Sequence, residues 1–185
     1  MAFDSESVEE AQERIVDRLD NVEVTPSRIA ETQAKIEDQF DTIEDVLMEL
    51  CYVRRAPGYF ASIARRLRVM EIGPLADMLD DAVEDGRLSS EDRDAILLAD
   101  LVLTGRRRED GEAVYLLVEL SVGMGASDVE RAADRAAILA KLGTTVLPVV
   151  AGKWINEQAV EMAGDRKVWY VIGGRVTPPL LPRAS

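Results

Sequence analysis

Residues 98–121 read LADLVLTGRRREDGEAVYLLVELS, and this stretch decides the fold. It contains two apolar runs, 98–103 and 114–120, each interrupted by one acid, Asp100 in the first and Glu119 in the second. Between them lies Asp110-Gly111, a pair that favours the left-handed backbone of a tight turn. The runs therefore read as two strands of a hairpin folded back around residues 109–111. That fold sets Asp100 opposite Glu119 or Ser121. Side chains alternate along a strand, so Asp100, Glu119 and Ser121 share one face in either register.

Working outward, Ser127-Asp128-Val129-Glu130 reads as a capping box opening a helix to about Leu142, with Gly143 closing it. Alanines at 132, 133, 136, 137 and 140 allow that helix to approach a sheet closely. Residues 144–150 form the next strand, and Pro148 argues for an edge or a bulge because it lacks a donor. A short helix over 155–163 and a strand over 167–172 follow. Upstream, residues 59–66 read as a short helix, 68–72 as a strand, 74–85 as an amphipathic helix, and Ser89 or Ser90 as the cap of a helix to about Leu98. Gly123-Met124-Gly125 reads as a flexible turn. It is no phosphate loop, since no lysine followed by serine or threonine stands at the required spacing. The order of strands and helices predicts a mixed α/β sheet flanked by helices.

The chemistry is bounded by composition. The 185 residues include no histidine and one cysteine, which excludes a Ser-His-Asp or Cys-His couple, a zinc-binding HExxH helix and an internal disulfide framework. Acid/base or metal work falls to carboxylates, whose oxygens suit Mg2+ or Mn2+. An acid inside an apolar strand costs several kcal/mol unless it is paired or binds a cation, and two facing acids repel each other. Asp100 and Glu119 are therefore a candidate metal pair. The alternative puts Asp100 at a strand end, hydrogen-bonded or paired with arginine, and Glu119 near solvent.

Residues 1–50 carry 15 acids and 4 bases, so most of the formal charge of −13 sits there and repels phosphates. The same segment repeats every seven positions with Val8, Ile15, Val22, Ile29, Ile36, Ile43 and Leu50. The position four residues after each reads Gln12, Leu19, Pro26, Gln33, Phe40 and Leu47. A strict seven-residue period keeps one stripe facing a partner helix, which predicts a coiled coil and a homo-oligomer. Thr25-Pro26 restarts the helix, giving either a helical hairpin or a longer stalk broken near residue 24. Arg55-Ala56-Pro57-Gly58 ends the helical pattern. No apolar run approaches membrane-spanning length, and no signal sequence is visible, so the chain reads as cytoplasmic. Three regions follow: a helical oligomerisation segment over 1–56, an α/β domain over 57–176, and a flexible proline-containing tail over 177–185.

On Ala99-Asp100-Leu101-Val102-Leu103 and Leu117-Val118-Glu119-Leu120-Ser121, the chain resembles the PD-(D/E)XK (restriction-endonuclease-like) nuclease superfamily. It is most similar to a subgroup of uncharacterised prokaryotic proteins with a coiled-coil head. The resemblance covers roughly residues 59–174 and implies a restriction-endonuclease-like sheet. It also implies that Asp100 and Glu119 bind Mg2+ or Mn2+, and that a lysine two residues after the glutamate serves the attacking water. Ser121 stands at that lysine position. A hydroxyl can hold water but brings no positive charge to a developing phosphorane. Arg131 or Arg135 would have to reach back and replace the lost cation. The resemblance thus implies a degenerate nuclease-like interaction module, or alternatively an active metal-dependent DNA phosphodiesterase using Asp100, Glu119, Ser121 and Arg131. Arg65-Arg66-Arg68 and Arg106-Arg107-Arg108 are the basic clusters, the second expected beside the carboxylates where nucleic acid would pass.

Overall fold

The computed structural model describes the backbone of residues 5–179 and the side chains of residues 13–14, 29–37, 39–40, 42–44 and 46–179. The side chains of Val8, Gln12, Ile15, Leu19, Val22 and Pro26, and the tail beyond residue 179, lie outside the described residues. The chain divides into two compact units, Met1–Glu44 and Asp45–Ser185. The second begins earlier than the boundary at residue 57 expected from the Pro57-Gly58 breaker.

The reason is the first helix. Helix α1 (Ser5–Tyr59) runs through Thr25-Pro26 and through Pro57-Gly58, so neither a hairpin nor a broken stalk is present. Proline removes one helical donor, but burial of neighbouring residues decides the outcome at Pro57. Ala56 and Phe60 are fully buried in the core of the second unit, and the Phe60 N–H still bonds the Ala56 carbonyl at 3.0 Å. Packing overrides a local breaker here.

Residues 59–66, read above as a helix, instead finish α1 and enter strand β1 (Ala64–Val69), which also replaces the strand expected over 68–72. Helix α2 (Ile72–Glu84) buries Leu75, Leu79 and Ala82. Helix α3 (Ser90–Leu97) is capped by Ser89, whose hydroxyl accepts the Asp92 N–H at 3.1 Å. Strands β2 (Leu101–Arg107) and β3 (Ala113–Leu120) form the expected hairpin, closed at Asp110-Gly111 with Gly111 at φ +77°. Then come β4 (Gly123–Met124), α4 (Ala126–Ala140), β5 (Thr145–Gly152), β6 (Trp154–Ile155), α5 (Glu157–Asp165), β7 (Trp169–Ile172) and β8 (Arg175–Thr177).

Six strands form one mixed sheet in the order β1-β2-β3-β5-β7-β8. β1-β2, β2-β3 and β7-β8 are antiparallel, while β3-β5 and β5-β7 are parallel. Strand β5 is therefore central, against the edge position inferred from Pro148. The register explains how proline is tolerated: pairing with β7 starts at Val149, one residue beyond Pro148. Gly123-Met124, read as a flexible turn, pairs in parallel with β6 and forms a second, two-stranded sheet.

The six-stranded sheet has two covered faces. Leu101, Leu103, Leu116, Val118, Val149 and Ala151 pack with Tyr52, Ala56 and Phe60 from the end of α1. Val102 and Leu117, on the alternate face, pack with residues of α2, α3 and α4, and Val150 packs with α4 and α5. Two arginine clusters meet on the β1 side, where Arg65 lies opposite Arg106 across a bulge. Charged side chains and a bulge on an edge strand oppose edge-to-edge aggregation.

Candidate functional site

The β2-β3 register pairs Leu101 with Val118, so one position further from the turn Asp100 comes against Glu119. Glu119 lies within β3 on the face covered by helices and is 3% exposed. Asp100 is not in a strand: it occupies the bend that leads into β2, and its Oδ2 accepts the Leu120 N–H at 2.7 Å. This acid therefore has a structural partner at the strand end. The hairpin geometry was legible, but the two carboxylates are held by different groups.

Glu119 is gripped by helix α4. Arg135 Nη1 donates to Oε1 at 2.6 Å and also to the Leu98 carbonyl at 2.9 Å. Arg131 Nε donates to Oε2 at 3.4 Å. Residues 131 and 135 stand one turn apart on α4, so both side chains reach the same strand residue. The pKa of Glu119 is raised, first by burial and then by the charge of Asp100, against the opposing pull of Arg135 and Arg131. Arg131 also pairs with Asp128 Oδ1. Burial opposes its charge, but Asp128 and then Glu119 outweigh it and raise its pKa.

Asp128 has a second task. Its Oδ2 accepts the Gly125 N–H at 2.7 Å, which makes Gly125 the N-cap of α4 and starts the helix one residue before the serine expected to cap it. In the sequence, Asp128 stands out only as part of a cap. Its i, i+3 spacing from Arg131 was the signal for the second role.

Ser121, just beyond β3, donates its hydroxyl to the Gly123 carbonyl at 3.1 Å, and its N–H bonds the Ala151 carbonyl at 3.0 Å. A β-carbon on Gly152 would approach the Ser121 carbonyl oxygen to 1.9 Å, so glycine is required for the two backbones to lie this close. Lys141, at the C-terminal end of α4, pairs with Asp92 at 2.6 Å.

A pocket of about 280 Å³ opens beside this network, lined by Val46, Met48, Glu49, Asp100, Leu120, Ser121, Asp128 and Arg131. The Arg106-Arg107-Arg108 cluster does not line it. That cluster lies at the far end of β2 from Asp100, a strand of 7 residues away, or roughly 20 Å at the usual rise of about 3.3 Å per residue.

The donor set does not fit a resident divalent ion as it stands. Both oxygens of Glu119 face guanidinium groups, and one oxygen of Asp100 is taken by the backbone. Among the described residues no group of three or more Asp, Glu, Cys or His is disposed to hold a metal. Also among them, no helix is long and apolar enough to cross a membrane.

Fold and site together define a mixed α/β domain whose buried strand carboxylate is closed by two arginines. Compared with family models, curated proteins and solved structures, the chain matches none.

Proposed function

We propose that the α/β part of this chain is a PD-(D/E)XK nuclease-like domain without the hydrolytic chemistry, and that the chain works as an oligomeric interaction module. The reading is supported by the arrangement that the resemblance implies, with an aspartate at the entrance to one hairpin strand and a glutamate within the next, followed by a helix and a parallel strand.

The observation that carries the loss of chemistry is the pairing of Glu119 with Arg135 and Arg131. A magnesium-dependent hydrolase needs that carboxylate for the cation. Here two fixed positive groups already neutralise it, and the hydroxyl of Ser121 at the lysine position is bound to a carbonyl. The arginines hold the strand carboxylate in place of a metal and tie α4 to β3.

The test is a cleavage assay with labelled single-stranded, double-stranded and structured DNA in Mn2+. The expected result is no hydrolysis above that of an Asp100→Ala/Glu119→Ala control. Metal-dependent cleavage that disappears in the control would overturn the reading and establish an active phosphodiesterase.

A further inference from the structure

Residues 53–70 hold five arginines, Arg54, Arg55, Arg65, Arg66 and Arg68, and no acid. Three of them lie in strand β1, at the edge of the six-stranded sheet and within the second unit. Strict alternation would turn Arg66 toward the core face. A bulge prevents this, because β1 sets Arg66 and Leu67 against Gly105 alone in β2. Leu67 turns inward over Gly105, where an added β-carbon would lie 2.8 Å from its Cδ2. Arg66 takes the left-handed backbone, φ +54°, which a long side chain rarely adopts and which costs free energy. Arg65, Arg66 and Arg68 are all exposed as a result.

The register sets Arg65 directly opposite Arg106 and Arg68 opposite Thr104, so Arg65, Arg68 and Arg106 share one sheet face. The β-carbons of a directly opposed pair stand about 5 Å apart, close enough for like charges to destabilise it. Arg68 stands two β2 positions further along, about 7 Å at the usual rise. The acids of the hairpin do not neutralise this row. Asp110 pairs with Arg107, which belongs to the opposite face, and Arg106 reaches only the Gly111 carbonyl, at 3.4 Å. Arg108 bonds the Ala61 carbonyl at 2.7 Å. Among the described residues, the side chains of Arg65, Arg66 and Arg68 make no hydrogen bond or ion pair.

An edge strand is kept from aggregating by a charge or a bulge of its own. That need explains neither a strained arginine nor a like charge on the inner strand β2. We propose that Arg65, Arg66, Arg68 and Arg106 bind the phosphodiester backbone of a nucleic-acid duplex. The inference rests on the interaction-module reading and names its partner. The site is a strand length from Glu119, roughly 20 Å at about 3.3 Å per residue. Guanidinium forks match phosphate geometry, and all four cations here are arginine. The step from Arg65 to Arg68 repeats the cations at a fixed spacing, which suits anions fixed on a stiff backbone. A flexible acidic peptide or a fluid lipid surface offers no such spacing, and no large apolar side chain of β1 or β2 is exposed to enter a lipid layer. Across the same face the next side chains are Ala113 and Tyr115, whose hydroxyl is turned to the Met78 sulfur at 3.7 Å. Bases are therefore not read, and binding is independent of sequence.

The test is binding of the full chain to short labelled DNA duplexes of unrelated sequence, followed by fluorescence anisotropy in metal-free buffer. Log affinity should fall against log salt with a slope of about −3 to −4, at roughly −0.9 per neutralised phosphate. Arg65→Ala/Arg106→Ala should bring the slope about two units closer to zero for every sequence. The same variant should hold or raise the melting temperature, because it removes a like-charge pair. Arg175→Ala, on the opposite edge strand β8, removes an exposed cation and should leave the slope unchanged. No binding, or a slope that the double variant keeps, overturns the proposal. So does an affinity for polyglutamate or phosphatidylserine vesicles that exceeds the affinity for duplex and is lost in the double variant. Arg65 and Arg106 lie outside the Glu119 site, so any of these failures leaves the cleavage assay to decide that reading separately.

Discussion

Replacing Arg135 with alanine destabilises the α/β unit by about 3–5 kcal/mol, the range for removing one partner of a buried ion pair. The side chain of Arg135 is 15% exposed and that of Glu119 is 3% exposed, so water cannot readily take over the lost contact. Arg131 remains, but it is more open and its bond is longer, which places the effect above that of a surface pair. The loss also depends on pH. Burial already raises the Glu119 pKa, and Arg135 is the largest influence opposing that rise. Without Arg135 the folded-state pKa climbs further. A carboxyl whose folded pKa lies above its unfolded value contributes stability at low pH and loses it as pH rises through the folded value. The deficit of Arg135→Ala is therefore smaller near pH 5 than near pH 8. Urea unfolding at the two pH values measures this, and an equal deficit at both would contradict the assigned pairing.

The second large effect is at the end of α1. Phe60→Ala costs about 3–5 kcal/mol, as truncation of a fully buried aromatic ring does. Phe60 is fully buried and its ring centroid lies 5.9 Å from that of Tyr52. Both belong to the core that covers one face of the six-stranded sheet. Tyr52 lies on the helix side of residue 56 and belongs to the same core, so Tyr52→Ala lowers the melting of the α/β unit as well, whereas an independent appendage ending at residue 56 would leave it nearly untouched. The expected result for Phe60→Ala is a drop of roughly 10 °C in its melting temperature, at the usual shift of about 2–4 °C per kcal/mol for a chain of this size. A shift under about 2 °C in Tyr52→Ala would restore the boundary at Pro57.

What the sequence revealed and concealed follows from where the determining contacts lie. The hairpin was legible because Asp110-Gly111 is a local signal and the apolar runs on each side have strand length. The face shared by Asp100 and Glu119 came with it, since alternation needs no tertiary information. The end of α1 was hidden because Pro57-Gly58 is a breaker only until Ala56 and Phe60 are buried, and burial is a long-range fact. Pro148 misled for a related reason. Its strand is central, but the neighbour on one side starts only at Val149, a register no single segment encodes. Strand β8 was overlooked although Gly173-Gly174, at φ +55° and +84°, is a two-residue turn signal between short β-rich runs. At the site, the sequence offered Arg131 and Arg135 as substitutes for the missing lysine. The structure turns both toward Glu119, a choice set by the docking of α4 on β3.

The claim that Glu119 is held by arginines in place of a cation is tested most directly by titrating Mn2+ into the native chain and into Asp100→Ala/Glu119→Ala by calorimetry. The account predicts the same heat for both, at the level of dilution. A saturable heat in the native chain that vanishes in the double variant would contradict it and return Asp100 and Glu119 to the role of metal ligands.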